Sequence, residues 1–225
     1  NHEDVAHNDG SQGIVAWERG DIDAALRHLD RALAVLRKDP ESPLYQGVLF
    51  NKGMVLHDAG RDAAALPLLL QARKLRVASL GKDHERIGDT ERMIGEVQAA
   101  LGQHTAARAR LAEAVKLTRA GYGPSHPHTR RAELSLALFD LARSEPPTPS
   151  VLAQLEQLAA LPKSDAELRK VAWLASTALA IRHCREPGFG EGPAMLEPIA
   201  TEISAALPEG GAVARTFERE RARCR

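Results

Sequence analysis

Residues 51–72 read NKGMVLHDAGRDAAALPLLLQA. Two glycines, Gly53 and Gly60, stand seven residues apart in a helix-forming run, and behind them Ala65, Leu69 and Ala72 fall at helical spacing. A glycine inside a helix costs roughly 1 kcal/mol relative to alanine, so Gly53 predicts that another helix backbone comes close at that point. Gly60, in Ala59-Gly60-Arg61, suits a left-handed residue that ends one helix before the next begins. Ala65 and Ala72, at i and i+7, let the second helix nest against the first, while Leu69 fills the space between them. The stretch predicts an antiparallel helix pair.

The same pattern appears on both sides of it. Gly13, Gly53 and Gly95 lie 40 and 42 residues apart, and seven residues after each comes Gly20, Gly60 or Gly102. Ala25, Ala65 and Ala107 follow in register, then Leu29, Leu69 and Leu111, then Ala32, Ala72 and Ala114. A single pair cannot bury its apolar stripe, whereas stacked pairs share a continuous core. Between pairs, Leu80-Gly81-Lys82-Asp83-His84 recurs 42 residues later as Tyr122-Gly123-Pro124-Ser125-His126 followed by Pro127. His2-Glu3-Asp4-Val5 occupies the same phase, because His2 precedes Gly13 by 11 residues, as His84 precedes Gly95.

With this linker the sequence resembles the tetratricopeptide repeat, in its longer, roughly 42-residue kinesin light chain-like form with a Leu-Gly-x-x-His-Pro linker. The resemblance covers about residues 2–144. It implies an all-α, right-handed solenoid of antiparallel helix pairs. Residues 1–144 would form three repeats and the first helix of a fourth, and 145–225 degenerate helical repeats with a C-terminal capping helix in the same solenoid. Asn1 falls inside a linker motif, which predicts that the chain is a piece of a longer protein.

Composition agrees with an all-helical chain and removes other classes. The 225 residues carry 30 Lys+Arg against 30 Asp+Glu, so nothing in the charge balance favours a phosphate backbone or an anionic membrane surface, and nucleic-acid binding is not expected. Hydrophobic residues make up 44% but aromatics only 4%, and the apolar content is mainly Ala and Leu, strong helix formers and poor strand formers. No run approaches about 18 apolar residues, so no membrane insertion is expected. Asn1-His2-Glu3-Asp4 lacks the basic and apolar regions of a secretory leader, which points to a soluble, cytoplasmic chain.

The tail keeps the helical rhythm less regularly. A fourth first helix is read over Arg130–Leu141, with Ala137 in the glycine position. The prolines of Pro146-Pro147-Thr148-Pro149-Ser150 stop it, and Ser150 is expected to cap a helix from Val151 to Leu161. Ser164-Asp165-Ala166-Glu167 reads as a capping box with Ser164 as cap, opening a helix to Cys184. Further helices are expected over Pro193–Leu207, after Gly190-Glu191-Gly192, and over Ala212–Arg225, the last a polar end cap. Pro67 lies early in a second helix, where a local bend is expected.

No chemistry announces itself in the sequence: there is no nucleophile-elbow pattern, phosphate loop or dinucleotide fingerprint, and no cofactor or catalytic residue is assigned. His126-Pro127-His128 is the most tempting metal pair, but His84 and His126 hold equivalent linker positions, so bonding turn backbone or capping a helix is the expected role. His57 and His104 read as solvated or packed helix residues. Cys184 and Cys224, 40 residues apart, show neither a zinc nor a redox spacing and are expected as free, inert thiols, with pairing open to a chain working outside the cytoplasm. The arginine-rich end around Arg215, Arg219 and Arg221 reads as a solvated face.

Function is therefore sought on the surface that the repeats create. The resemblance implies that first helices line a concave groove, with groove positions three and two residues before the first glycine and one and four after it. In repeat one these are Gly10, Ser11, Ile14 and Trp17; in repeat two Phe50, Asn51, Met54 and His57; in repeat three Arg92, Met93, Glu96 and Ala99; in repeat four Leu134, Ser135, Leu138 and Leu141. Aromatic and methionine side chains there suit peptide capture, so Trp17, Phe50, Asn51, Met54, His57, Arg92, Met93, Glu96 and Leu134 form the candidate site. Core packing is the competing role for each, for Met54 and Met93 above all. Kinesin light chain-like repeats carry paired asparagines before the glycine, of which only Asn51 is present. The aromatic that usually lies four residues before the glycine is replaced by Asp9, Leu49 and Glu91.

The resulting expectation is a non-enzymatic module that binds a peptide or helix of a protein partner. The alternative is a regulatory region of a larger bacterial-type signalling protein, contacting its own catalytic domain or self-associating. A third reading places an unrecognised enzymatic pocket in residues 145–225, around His183.

Overall fold

The computed structural model describes residues 2–144, 146–185, 192–207 and 211–224. Among them are α1 (His2–Glu18), α2 (Ile22–Leu36), α3 (Pro43–Asp58), α4 (Asp62–Leu80), α5 (Glu85–Ala100), α6 (His104–Gly121), α7 (Pro127–Arg143), α8 (Pro149–Ala159), α9 (Ala166–Arg185), α10 (Gly192–Ala206) and α11 (Ala212–Arg221), with a 3-10 turn at Ala222–Cys224 and no strand. The chain divides into two compact units, Asn1–Pro124 and Ser125–Arg225. The all-α reading holds.

The first unit is three helix pairs, α1/α2, α3/α4 and α5/α6, whose turns close in one manner. Gly20, Gly60 and Gly102 have φ of 88°, 70° and 76°. The following amide reaches back to the last turn, from Asp21 to the Ala16 carbonyl (2.9 Å), from Arg61 to Leu56 (2.8 Å) and from Gln103 to Gln98 (2.8 Å). This is the left-handed glycine stop that satisfies the orphan carbonyls of a helix end.

Inside each pair the first glycine does what its place in the sequence predicts. A Cβ on Gly13, Gly53 or Gly95 would lie 2.8, 2.6 or 2.8 Å from Cγ of Leu29, Leu69 or Leu111, nearer than carbons can approach. The glycine is the socket for that leucine. The leucines and their flanking alanines, Ala25, Ala32, Ala65, Ala72, Ala107 and Ala114, are buried. One core cluster runs through α1 to α5, from Ala6 and Leu29 through Val48, Val55 and Leu69 to Ile94 and Val97.

Not every glycine is so constrained, and the contrast is testable. Gly47 lies within α3 with nothing within 4 Å of a built Cβ, so Gly47→Ala is expected to raise stability by about 0.5–1 kcal/mol through helix propensity. Gly102→Ala has equal space but a positive φ, and is expected to cost about 1 kcal/mol. Urea midpoints of the two variants should move in opposite directions; a shift of both the same way would refute the turn assignment.

Between pairs, Gly81 and Gly123 also have positive φ, 85° and 93°. The linker histidines cap helices: Nδ1 of His84 accepts from the Arg86 amide, and that of His126 from the His128 amide, each at 3.2 Å. In the second pair Ser42 takes this place, its hydroxyl accepting from the Tyr45 amide at 3.1 Å ahead of Pro43. His2 opens α1, while its side chain, and Asn1 with its linker assignment, lie outside the described residues. Helix α4 continues through Pro67, which is exposed.

In the second unit several helix starts differ from expectation. The cap of α8 is Thr148, not Ser150: its hydroxyl accepts from the Val151 amide at 3.4 Å. Pro149 is favourable as the first helical residue because its missing N–H is not needed there, so the cap must precede it. Likewise α9 is capped by Asp165 rather than Ser164, its carboxylate accepting from the Glu167 and Leu168 amides, both at 2.9 Å. A charge at the positive helix end outweighs the neighbouring hydroxyl. Helix α10 begins at Gly192 and α11 ends at Arg221. The last helix is more than a polar cap: Val213 and Phe217 are buried with Trp173, Leu196 and Ile203.

The cysteines also differ from expectation. Cys184 and Cys224 form a disulfide with Cα atoms 5.4 Å apart, because the end of α9 and the turn after α11 meet. Proximity made by tertiary packing overrides what spacing suggested. The side chain of His183, and Gly190, Glu191 and Arg225, lie outside the described residues.

Candidate functional site

The candidate residues of the first unit lie on its first helices, Trp17 on α1, Phe50, Asn51, Met54 and His57 on α3, and Arg92, Met93 and Glu96 on α5. On α1 and α3 they interleave with buried residues, as a two-sided helix requires, whereas α5 is buried without a break from Thr90 to Gly95. Trp17, Phe50 and Met54 are half-buried and rest on the core cluster. Asn51, His57 and Glu96 are half-buried as well.

Several of these side chains are held in place. The Trp17 indole N–H donates to Asp58 Oδ2 at 3.0 Å, tying α1 to the end of α3. The Phe50 ring carries the guanidinium of Arg76, whose Cζ stands 4.6 Å from the ring centroid. Arg76 is itself buried in α4 and donates to Thr90 Oγ1 of α5 at 2.7 Å. Burial lowers its pKa, opposed by the charge of Asp89. The ring is thus fixed by a cation–π contact that joins three helices. His57 Nδ1 lies 2.5 Å from Asp62 Oδ1, which fastens it to the turn into α4. Arg92 donates to Glu96 at 2.6 Å one turn further on.

Two apolar candidates belong to cores instead, and Arg92 is buried as well, at 8% exposure. Met93 is 3% exposed within the cluster of the first unit, and Leu134 is 3% exposed among Ala137, Val151, Leu155 and Leu158 of the second. Their side chains fill space between helices and present little surface. Repeat register alone places them on a first helix, whereas stacking decides which flank of that helix is covered.

The place of the missing aromatic is filled by carboxylates that sequence reasoning left unexplained. Glu91, 2% exposed in its side chain, receives Arg73 Nε from α4 at 2.5 Å and Arg110 Nη1 from α6 at 2.8 Å. Asp9, at the same position of α1, accepts Arg31 of α2 at 2.6 Å and lies 3.0 Å from His28. The Arg31 hydrogen bond, followed by His28, holds the Asp9 carboxyl below its ordinary pKa despite opposing desolvation. In the second unit Glu133 takes Arg130 at 2.9 Å. The signal was legible as an acidic residue four before the glycine position in three of four repeats. Within the first unit, the Tyr122 hydroxyl donates to Asp89 at 2.8 Å, and burial first, then the Asp89 charge, raises its pKa.

Among the described residues no group of three His, Cys, Asp or Glu could hold a metal, and no helix is long and apolar enough to cross a membrane. His126 and His128 face one another with ring centroids 5.3 Å apart, and Nδ1 of His126 is engaged by the cap.

Two tetratricopeptide repeat models match the sequence, over residues 11–76 and 44–120. No curated protein matches it. Among solved structures, the nearly identical TPR-like repeats of a Podosopora anserina protein described as a kinesin light chain superpose with a TM-score of 0.60 at 17% identity, covering 92% of this chain and 98% of that one. A form of those repeats carrying a glutamine-to-methionine substitution gives 0.61 at 18%, covering 91% and 97%. A Rap protein complexed with Competence and Sporulation Factor gives 0.66 at 14%, covering all of this chain and 64% of the other. At such identities these structures speak for the fold. With the glycine sockets, the left-handed turns and the histidine-capped linkers, residues 11–120 are tetratricopeptide repeats, and the solved structures agree with that fold.

Proposed function

We propose that the chain is a non-enzymatic interaction module that takes an extended peptide or a helix of a protein partner on the first-helix face of its first unit. The observation that carries this reading is the set of half-buried side chains Trp17, Phe50, Asn51, Met54 and His57, of which Trp17, Phe50 and His57 are held by Asp58, Arg76 and Asp62. Large side chains fixed before binding lose little entropy on contact, which suits an anchor pocket. Asn51 offers both a donor and an acceptor to an extended backbone beside them. The tetratricopeptide fold and a fold neighbour solved in complex with Competence and Sporulation Factor support the same class of role.

A selection of random displayed peptides on the whole chain tests this. The wild type should enrich sequences with an apolar anchor. Phe50→Ala and Asn51→Ala should each weaken binding of the enriched peptides by at least about tenfold, the loss of one anchor contact, with helical circular dichroism unchanged. Unaltered binding by both variants would show that the peptides sit elsewhere, and no enrichment would refute peptide capture.

A further inference from the structure

We infer that Cys184 and Cys224 form a redox-controlled clasp that fastens the last helix of the second unit over that unit's core. Cys184 is the penultimate residue of α9, and Cys224 closes the 3-10 turn after α11. Their Cα separation of 5.4 Å needs no backbone movement to bridge. Both residues are half-buried at the edge of the cluster formed by Trp173, Ala180, Leu196, Ile203, Val213 and Phe217. The bond thus lies at the margin of the cluster, not at its centre.

The apolar packing that holds the last helix is small. The helix is ten residues long, below the roughly 12–15 that an isolated helix needs in water. It contributes two buried side chains, Val213 and Phe217. Arg221 adds an ion pair to Glu197 at 2.5 Å, between partly exposed groups that water screens. Closing a 40-residue separation with one covalent bond removes much of the freedom of the detached state. At Gly192 the start of α10 packs closely on α9 beside Cys184. A Cβ there would overlap Cys184 Sγ and come within 2.6 Å of its backbone nitrogen and 2.9 Å of the Ala180 carbonyl, so α10 starts against the clasp only as glycine.

The chemistry is thiol–disulfide exchange with a small-molecule disulfide. The two cysteines lose two electrons and two protons as the S–S bond forms, and the oxidant takes up both and leaves as two thiols. Reduction reverses this, and α11 detaches from Trp173 and Leu196. The first unit contains no cysteine and does not respond.

The test is hydrogen exchange and thiol alkylation of the whole chain, equilibrated with excess oxidised glutathione or with a phosphine reductant. In the oxidised sample both cysteines should resist iodoacetamide, and in the reduced sample both should react. Amides of α11 should exchange at least about tenfold faster on reduction, while those of α5 stay unchanged. The Cys184→Ala/Cys224→Ala variant should match the reduced protein and ignore the reductant. Alkylation of both cysteines under oxidised glutathione, or equal α11 protection in the two states or in the variant, would overturn the clasp.

Discussion

Leu69→Ala is expected to destabilise the first unit by about 3 kcal/mol, the cost of emptying a fully buried leucine site in a close-packed core. Gly53→Ala, the facing change, should cost about 1–2 kcal/mol. Its methyl group would meet Leu69 Cγ and Cδ2 at 2.6 and 2.7 Å, and this overpacking exceeds the helix propensity gained. The double variant should be more stable than the sum of the two losses by about 2 kcal/mol, because Leu69→Ala removes both atoms that the new methyl strikes. What remains near that methyl is the Ala65 carbonyl at 3.5 Å, an ordinary contact. The same exchange at Gly95 and Leu111 should recover less, since the Ala107 carbonyl stands at 3.1 Å and belongs to backbone. Urea unfolding of the four variants of each cycle measures this, and additive losses would show that glycine and leucine are not socket and knob.

Glu91→Ala is expected to cost about 2–3 kcal/mol, and Glu91→Leu under about 1.5 kcal/mol. The carboxylate is buried between Arg73 and Arg110, whose side chains are 34% and 32% exposed. After its removal the two arginines can turn toward water, which holds the penalty below that of a fully enclosed pair. Alanine leaves a cavity as well. Leucine fills it, and the protein already accepts leucine there in its second repeat, where Leu49 is buried. Removing an arginine should be worse than its own size suggests: Arg110→Met leaves Glu91 buried with one partner in place of two. Thermal midpoints in the order wild type, Glu91→Leu, Glu91→Ala would support the network, and equal midpoints would show that the three side chains carry no net stability.

What the sequence disclosed depended on the range of the interaction. Gly13, Gly53 and Gly95 and their leucines could be read because a helix pair closes within about thirty residues, and only glycine admits the leucine. The turns at Gly20, Gly60 and Gly102 were legible because a left-handed residue favours glycine. Thr148 and Asp165 were misjudged by one or two residues, since each stands beside another capable cap and only the path of the chain selects between them. The Glu91 and Asp9 pairings cross between helices, and periodicity carries no information about which arginine arrives. The bond between Cys184 and Cys224 escaped for the same reason. At the candidate site, register placed residues on first helices but did not distinguish half-buried Met54 from buried Met93, because that depends on how the next pair leans against the first.

The three methionines provide the most direct test of the first-helix face. Met54 is half-buried on α3, Met93 lies in the adjoining core, and Met195 is 39% exposed in the second unit. A methyl NMR spectrum of methionine-labelled protein, titrated with a peptide enriched by the displayed selection, reports on all three at once. The Met54 resonance should shift in a saturable manner while Met195 stays fixed. A shift of Met195 with Met54 unmoved would contradict the assignment of the working surface.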